Sequence, residues 1–369
     1  MAFSGVGGAL IERKLAPLLL TAAVVLTACV TVPVSAPVPT PVPAPVSKTP
    51  PTEQDGKPQH AENSAVLSLL VARQERIYRV AAPLMVKNAP LCRTQARPLL
   101  GFTAKNRYSY PSELGSAVES MLKLDERLRI MQVLDGSGAM RAGIRSGDIL
   151  QTIQDQPLPV GAQAESESAR LIAPLLKNAA DISVSVLRQG QLVKLIIPLT
   201  KACAFSMEIG HAPQVNAYAD GRRIMLTRGM LEFLSDDQEL AVILAREIAH
   251  NVLQHTASQQ MTATTASAID ALLPLQPDPA ALSGRGGLRA LPAKLDLEAD
   301  RLAMYLLARA GYDPAAAERT MQKLAQAFPA SPTHTYMTLH PWTSERQQLM
   351  QSTLAEIRQK QLTKKPLTP

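Results

Sequence analysis

Proline dominates the chain between Pro33 and Pro58, and this segment limits where a folded domain can begin. Nine prolines fall within it and alternate mainly with Val, Ala and Thr. Each proline fixes φ and lacks a backbone N–H group, so helix interiors and central strands are excluded and polyproline II is expected. We therefore expect residues 29–62 to form an extended tether. The packed core should lie after it, in a chain of 369 residues that is long enough for two domains.

The residues before the tether have the layout of a secretory signal peptide. Two basic residues precede an apolar run from Leu15 to Ala28, which is short for a membrane-spanning helix. The run ends in "LTAC", which resembles the bacterial lipobox; an ordinary signal peptide is the alternative. The lipobox implies that residues 1–28 are removed and that Cys29 is lipidated, so that acyl chains attach the protein to a membrane. Val30 follows instead of Asp, which by resemblance to diderm lipoproteins favours the periplasmic face of the outer membrane.

Charge and cysteine content bear on two further questions, whether the protein binds nucleic acid and whether it contains a disulfide. The net charge is +7, but Lys and Arg are scattered among acidic residues, so we expect no nucleic-acid partner. Cys92 and Cys203 are the cysteines that follow Cys29. In an exported protein they are candidates for a disulfide that joins the ends of the segment between them, and two separate buried thiols are the alternative.

Residues 63–200 divide into a helix and a β-rich unit. Apolar residues recur at helical spacing over 64–88, which predicts an amphipathic helix within residues 63–95. Residues 127–134 alternate as a strand, 167–178 are typical of a helix, and 181–200 predict two strands joined at Gly190.

The segment "GSGAMRAGIRSGDIL" resembles PDZ domains. The matching positions are Ala139, Ala142, Gly143, Ile144, Gly147, Asp148 and Ile149. The resemblance implies a PDZ-like domain over 96–200, of a kind that captures extended peptides by adding a strand to a sheet edge. A purely structural β-domain is the alternative. "LLGF" at 99–102 resembles a carboxylate-binding loop, but it lies well ahead of the matching segment and receives little weight.

Residues 201–360 form a second, more helical body, followed by a tail at 361–369. A strand, a turn and a second strand are expected over 214–231, and helices over 235–255 and 295–310. Ser235 and Gln238 have the spacing of a capping box for the first of these helices. The side chains expected to line its buried face are Leu240, Leu244, Ile248 and Val252.

Four segments of this body resemble one family, the HtpX and CAAX-prenyl endopeptidases, which are zinc metallopeptidases of the gluzincin type. They are "VNAYADGRRIMLTRGML", "ELAVILAREIAHNVLQH", "LDLEADRLAMYLLARAGYDP" and "LHPWTSERQQL", and they cover most of 212–350. The resemblance implies an α+β fold: a mostly helical zincin-type domain with a small sheet, into which the PDZ-like unit is inserted. The helix in 63–95 is expected to pack on that domain.

The family's zinc site is carried by H-E-x-x-H on one helix and a Glu on a second helix. Two His at i and i+4 share a helix face and bind zinc, and the Glu between them activates bound water. By resemblance, Glu247 is the base, His250 the second ligand and Asp296 the third, in place of Glu. Asp300 is a group that supports the ligands. The first ligand position is occupied by Arg246.

Arg246 puts zinc binding in question, because a guanidinium stays protonated and offers no lone pair. Its fork could instead bridge Asp296, Asp300 or Glu247 and replace the charge of the metal. That hypothesis makes the protein a metal-free pseudopeptidase that binds extended peptides or misfolded envelope proteins in a quality-control role.

Two other hypotheses are open. The first is an active zinc endopeptidase that uses His250, Asp296 and His340, with a fourth position open; it requires Arg246 to turn out to solvent. The second is a purely structural lipoprotein. His255, five residues after His250, is expected at the surface or at a helix cap.

Overall fold

The first described element is a long helix that begins earlier than its pattern predicts. The computed structural model describes residues 56–255, 292–329 and 336–369. The predicted signal peptide, lipidation site and most of the tether lie outside these residues. The helix starts at Gly56 instead of residue 64, so the prediction of a tether through residue 62 is wrong at its end. Pro58 is tolerated because N–H groups in a first helical turn have no intrahelical partner.

The fold is α+β. The helices are α1 Gly56–Lys87, α2 Gly115–Ala117, α3 Gly138–Arg141, α4 Ala164–Asn178, α5 Arg228–Phe233, α6 Asp237–Val252, α7 Ala293–Ala310, α8 Ala316–Ala327, α9 Tyr336–Leu339 and α10 Ser344–Leu362. The strands are β1 Ala96–Leu99, β2 Phe102–Lys105, β3 Arg129–Val133, β4 Ile149–Ile153, β5 Gln156–Pro157, β6 Asp181–Arg188, β7 Gln191–Pro198, β8 Thr200–Cys203, β9 Ser206–Gly210, β10 Ala217–Ala219 and β11 Arg223–Thr227.

Residues 100–199 contain a six-stranded antiparallel sheet with its own apolar core. The strand order is β2-β3-β4-β6-β7, and β5 pairs with β4. The long hairpin of β6 and β7 turns at Gln189 and Gly190, whose φ values of 50° and 81° suit a tight two-residue turn. Helix α4 packs on this sheet through Ile172, Leu175 and Leu176. Strand β2 lies at one edge, with β3 as its neighbour in the sheet.

A short ribbon joins this unit to the rest of the protein. Strands β1 and β8 pair antiparallel, with Ala96 opposite Cys203. Cys92 and Cys203 form a disulfide whose Cα atoms are 5.6 Å apart. The chain therefore enters and leaves the six-stranded unit through one covalently fixed connection.

The second sheet orders its strands β10-β11-β9. The hairpin of β10 and β11 follows the predicted strand, turn and strand, whereas the parallel partner β9 was not predicted. A single apolar core includes residues from this sheet and from α1, α6 and α7. Every residue of α6 from Leu240 to Asn251 is buried, so the helix is enclosed on all sides and not only on the expected face.

The cap of α6 lies one residue later than predicted. Asp236, not Ser235, is the N-cap, and its side chain accepts a 2.7 Å bond from the backbone N–H of Glu239. Glu239, not Gln238, reaches back to the N–H of Ser235 at 2.9 Å. Since both Ser and Asp are good N-caps, their order along the chain does not decide which is used.

The C-terminal residues fold back onto the second body. Leu367 packs against its core, and Lys360 Nζ donates to the carbonyl of Thr368 at 2.6 Å. Within the described ranges, no helix combines the length and the apolar character that crossing a bilayer requires.

Candidate metal centre

Two packed helices and the segment after α9 bring the predicted site residues together. Arg246, Glu247 and His250 lie on α6, and Asp296 and Asp300 lie one turn apart on α7. His340 follows α9 directly. All six side chains are buried, each with an exposed fraction of at most 4%. This degree of burial means that each charge must be satisfied by neighbours within the protein.

Arg246 lies between the two aspartates of α7. Its Nη2 donates to Asp296 Oδ1 at 2.6 Å, and its Nε donates to Asp300 Oδ1 at 2.6 Å. Its Nη1 donates to the hydroxyl of Tyr336, whose ring centroid is 5.4 Å from the guanidinium carbon. The side chain is 1% exposed and does not turn out to solvent, as the alternative zinc site would require.

A second arginine completes the arrangement around Asp300. Arg346, in the first turn of α10, donates from Nε to Asp300 Oδ2 at 2.6 Å and from Nη2 to Asp300 Oδ1 at 3.0 Å. Its Nη1 donates at 2.9 Å to the carbonyls of His340 and Pro341. Arg346 therefore fixes the backbone that presents His340. Arg346 lies in the segment "LHPWTSERQQL", where no sequence pattern predicts its role.

Glu247, at the position of the family's catalytic base, is held by a tyrosine. The hydroxyl of Tyr336 donates to Glu247 Oε1 at 2.7 Å. Tyr336 is buried and bridges the guanidinium of Arg246 to the carboxylate of Glu247. Sequence reasoning missed Tyr336. Its position four residues before His340, one helical turn away, is the one signal that could have pointed to it.

His250, Asp296 and His340 form the group that could supply metal ligands. One ligand atom from each lies within 4.8 Å of the others. His340 Nδ1 is 2.7 Å from Asp296 Oδ1, and His250 Nε2 is 3.5 Å from the same oxygen. Among the described residues, the buried Nε2 of His250 has no hydrogen-bond partner. Asp296 Oδ1 is therefore the atom on which Arg246 and both histidines converge.

His255 is buried and contacts His250, so the expectation of a surface or capping position is wrong. Its Nδ1 lies 3.2 Å from His250 Nδ1, and its Nε2 lies 3.2 Å from Glu298 Oε2. The chain turns back after α6 because Gln254 adopts a φ of 58°, which brings the ring of His255 under the helix. Helical spacing does not apply beyond that turn.

The electrostatic surroundings fix the charge states of three of these groups. Burial lowers the pKa of His250 to about 4, and the charge of Arg246 acts in the same direction, so this imidazole is neutral near pH 7. Burial acts to raise the pKa of Asp296, but the adjacent His340 and Arg246 outweigh it and lower the pKa below its ordinary value. Burial acts to lower the pKa of Arg246, and Tyr336 and the nearby carboxylates reverse this and raise the pKa.

The donor set does not fit zinc at the family's first ligand position. Arg246 is a permanent cation without a lone pair, and a zinc ion bound to Asp296 would face that cation. The unpartnered Nε2 of His250 is the feature that a metal would explain. Against it, Asp296 Oδ1 is already within hydrogen-bonding distance of both Arg246 and His340. The guanidinium supplies positive charge to the two aspartates, as a metal would.

A groove in the six-stranded unit is the second candidate site. It has a volume of about 300 Å³ and lies between the edge strand β2 and helix α4. Leu99, Leu100, Gly101 and Phe102 line one end of it. The "LLGF" loop therefore lies at the groove, although it is distant in sequence from the PDZ-like segment. The pairing of β2 with β3 brings the two segments together.

The architecture and the motif define the class of protein. A buried Glu-x-x-His on one helix faces an aspartate pair on the next helix. Residues 191–354 match the model of Peptidase family M48, so this part of the chain is similar to that family.

Curated relatives match between 36% and 42% of the chain. The mitochondrial metalloendopeptidase OMA1 of Arabidopsis thaliana is 32% identical over 144 residues, which is 37% of this chain and 29% of the relative. The beta-barrel assembly-enhancing protease of Yersinia pestis is 30% identical over 151 residues, with 36% and 31% of the two chains covered. That of Escherichia coli strain K12 is 29% identical over 171 residues, with 42% and 34% covered. The chain thus spans about a third of the length of these relatives.

Solved structures match 29% of the chain at low overall similarity. The HtrA-type protease AlgW with a decapeptide is 26% identical, with a TM-score of 0.22, and covers 29% of this chain and 30% of its own. The HtrA3 PDZ domain with a phage-derived ligand is 19% identical, with a TM-score of 0.22, and covers 29% and 88%.

Proposed function

We propose that this protein is a pseudopeptidase of family M48 that binds extended or misfolded envelope proteins without cleaving them. The observation that carries the proposal is the double ion pair of Arg246 with Asp296 and Asp300. Water activation requires an electrophile beside Glu247, and here the neighbouring group is a guanidinium. Glu247 itself is engaged by the hydroxyl of Tyr336.

The groove between β2 and α4 supplies the binding role. Strand β2 is an edge strand, and such a strand offers backbone groups to an added peptide strand. Helix α4 contributes Ile172 and Leu176 as an apolar wall for the side chains of that peptide. We assign the six-stranded unit as a PDZ-like insertion that takes extended peptides. The names of the beta-barrel assembly-enhancing relatives support an envelope substrate.

The location follows from the sequence before the tether. The lipobox-like "LTAC" favours lipidation of Cys29 and attachment to the periplasmic face of the outer membrane. Labelled palmitate should be incorporated by the wild-type chain and not by Cys29→Ser. Equal incorporation by both chains would contradict the assignment.

An active zinc endopeptidase is the second candidate, and the unpartnered Nε2 of His250 favours it. In that case His250, Asp296 and His340 would hold the metal, Glu247 would act as base, and Arg246 would have to leave Asp296.

Capture without cleavage separates the two candidates. The chain from residue 29 with Cys29→Ser would be incubated with reduced, fluorescein-labelled casein in the presence of zinc. We expect the casein to bind and to remain intact, as followed by anisotropy and by gel.

Two further variants make this experiment specific. Arg246→His restores the family's first ligand and is expected to introduce zinc-dependent cleavage, which Arg246→His with Glu247→Gln should lose. Zinc-dependent cleavage by the wild-type chain that Glu247→Gln abolishes would overturn the pseudopeptidase assignment. A failure of the intact chain to bind casein would overturn the binding role.

A further inference from the structure

A basic cleft lies where the six-stranded unit meets the three-stranded sheet, outside both sites described above. It has a volume of about 920 Å³. Arg97 from β1, Lys177 from α4 and Arg222 from the turn between β10 and β11 line it, and all three side chains are exposed. None of the three has an ion-pair partner in the part of the chain that the structure describes, and no acidic side chain is among those lining the cleft.

The cleft continues from the groove beside β2. Met85, Leu99, Ala173 and Leu176 line both spaces. Leu99 ends β1, and Ala173 and Leu176 lie in the last turns of α4, so the junction lies just ahead of β2. An extended chain that lies along β2 can therefore pass over an apolar floor directly into the basic cleft.

Two of the three cations, Arg97 and Arg222, are carried by elements that are linked to one another. Gly221, next to Arg222, donates its N–H to Asn251 Oδ1 at 2.6 Å, and Asn251 is buried at the end of α6. The side chain of Gln95, just before β1, donates to the carbonyl of Asn251 at 3.0 Å. The Cys92–Cys203 disulfide ties the same ribbon together. A ligand in this cleft meets side chains whose backbone is held in place. Less conformational entropy is therefore lost when the ligand binds.

We propose that the cleft binds an acidic segment of the same extended polypeptide that occupies the groove, so that Arg97, Lys177 and Arg222 select substrates with clustered Asp and Glu. The inference rests on the proposed peptide-binding function and adds a substrate class to it. Charge complementarity calls for an anion, because three cations face the cleft without a carboxylate to neutralise them. Continuity with the β2 edge calls for a polypeptide, because an edge strand recognises an extended backbone.

The expected energetics are those of exposed charges. A single exposed ion pair contributes little, but three cations acting on one acidic segment raise affinity by about tenfold or more at low salt. The Debye length shortens to about 3 Å at 1 M salt, so this part of the affinity should be lost there. Apolar contacts in the groove should persist.

The test uses two fluorescein-labelled peptides, each with an apolar half followed by a charged or neutral half. The acidic half consists of Asp and Glu, and the control peptide carries Asn and Gln at the same places. Affinities for the chain from residue 29 with Cys29→Ser would be measured by anisotropy. We expect the acidic peptide to bind about tenfold more tightly at low salt, and the two peptides to bind alike at 1 M salt.

Variants locate the effect and separate it from the groove. Arg97→Gln, Lys177→Gln and Arg222→Gln combined should remove the preference for the acidic peptide. A control with Arg170→Gln, Arg358→Gln and Lys365→Gln removes equal charge elsewhere and should retain it. Ala169→Trp, which fills the groove, should weaken both peptides.

The outcomes distinguish this inference from the proposed function. If the wild type binds both peptides alike at low salt and Ala169→Trp weakens both, the basic cleft is not a recognition site, while the groove assignment stands. If both triple variants reduce acidic binding equally, net charge and not the cleft is responsible, and the inference is overturned. If the wild type binds neither peptide, the inference and the peptide-binding function both fail.

Discussion

The two charge-rich sites of this protein differ in whether their charges are paired. Around α6 and α7, the guanidinium groups of Arg246 and Arg346 are buried and held by Asp296 and Asp300. In the cleft, cations are exposed and carry no partner among the described residues. Charges that are fully paired in a closed core contribute to the integrity of the fold, whereas unpaired charges at an open surface are available to a ligand.

The buried site also differs from a zinc site in the positions that it leaves open. A zinc site keeps an open coordination position for water or substrate. Arg246 instead donates to Asp296, Asp300 and Tyr336, one bond from each of its three nitrogens. It therefore has no open position comparable to that of a metal.

The largest effect is expected from Arg246→Met, which keeps the length of the side chain and removes its charge. Asp296 and Asp300 would lose a buried partner, and we expect the free energy of unfolding to fall by about 3–5 kcal/mol. Urea denaturation measures this value. Arg319→Met, which removes an exposed pair with Asp313, is the matched control and should change stability by less than about 0.5 kcal/mol. Equal effects of the two substitutions would mean that Arg246 does not neutralise the core.

The next effect concerns the Cys92–Cys203 disulfide, which ties together the two ends of the segment that contains the six-stranded unit. Cys92→Ala with Cys203→Ala opens a covalent loop whose ends are 111 residues apart, and we expect a loss of about 2–4 kcal/mol. Reduction of the wild-type protein should lower the midpoint of urea unfolding to the same extent. A midpoint that does not respond to reduction would show that the ribbon of β1 and β8 holds without the bond.

A smaller effect is expected from Asn251→Ala. Its amide accepts from the N–H of Gly221 at 2.6 Å and donates to the carbonyl of Arg223 at 3.2 Å. The variant therefore removes this partner of the part-buried Gly221 N–H and one of two bonds to the Arg223 carbonyl, which also accepts from the N–H of Asp220. We expect a loss of about 1–3 kcal/mol in stability. The acidic peptide should also bind about threefold more weakly, because the turn that carries Arg222 is no longer fixed. Asn63→Ala, at an exposed amide, is the control for stability. An unchanged peptide affinity would separate the turn from recognition.

The smallest effect on stability is expected for the cleft itself. Arg97→Gln, Lys177→Gln and Arg222→Gln combined should leave the free energy of unfolding within about 0.5 kcal/mol of the wild type, since exposed side chains without partners contribute little to the folded state. Thermal and urea unfolding both measure this. A loss of several kcal/mol would assign these cations a structural role and remove the contrast between the two sites.

Periodic patterns in the sequence predicted the long elements well. The strands at 181–200 and the helices around Arg246 and Asp300 follow from alternation and from helical spacing, because each element buries a regular set of side chains. Strand β9 is short and pairs in parallel with β11. No sequence pattern indicates this pairing, and the strand was not predicted. The cap of α6 moved by one residue because neighbouring Ser and Asp compete for the same role.

Only those residues of the site that belong to a sequence motif could be predicted. The resemblance to the family placed Arg246, His250 and Asp296 in one site, and guanidinium chemistry indicated ion pairing. Tyr336 and Arg346 carry no such signal, since their roles come from tertiary packing of α9 and α10 against α6 and α7. The position of His255 depended on the positive φ of Gln254, which no helical period predicts.

Zinc content tests the central claim most directly. The wild-type chain and Arg246→His, each with Cys29→Ser, would be loaded with zinc, desalted and assayed for bound metal per chain. The account predicts that the wild type retains no zinc and that Arg246→His retains about one ion, because the guanidinium occupies the place that the first ligand vacated. One tightly held zinc in the wild type, lost in His340→Ala, would contradict it and would assign His250, Asp296 and His340 as a working metal site.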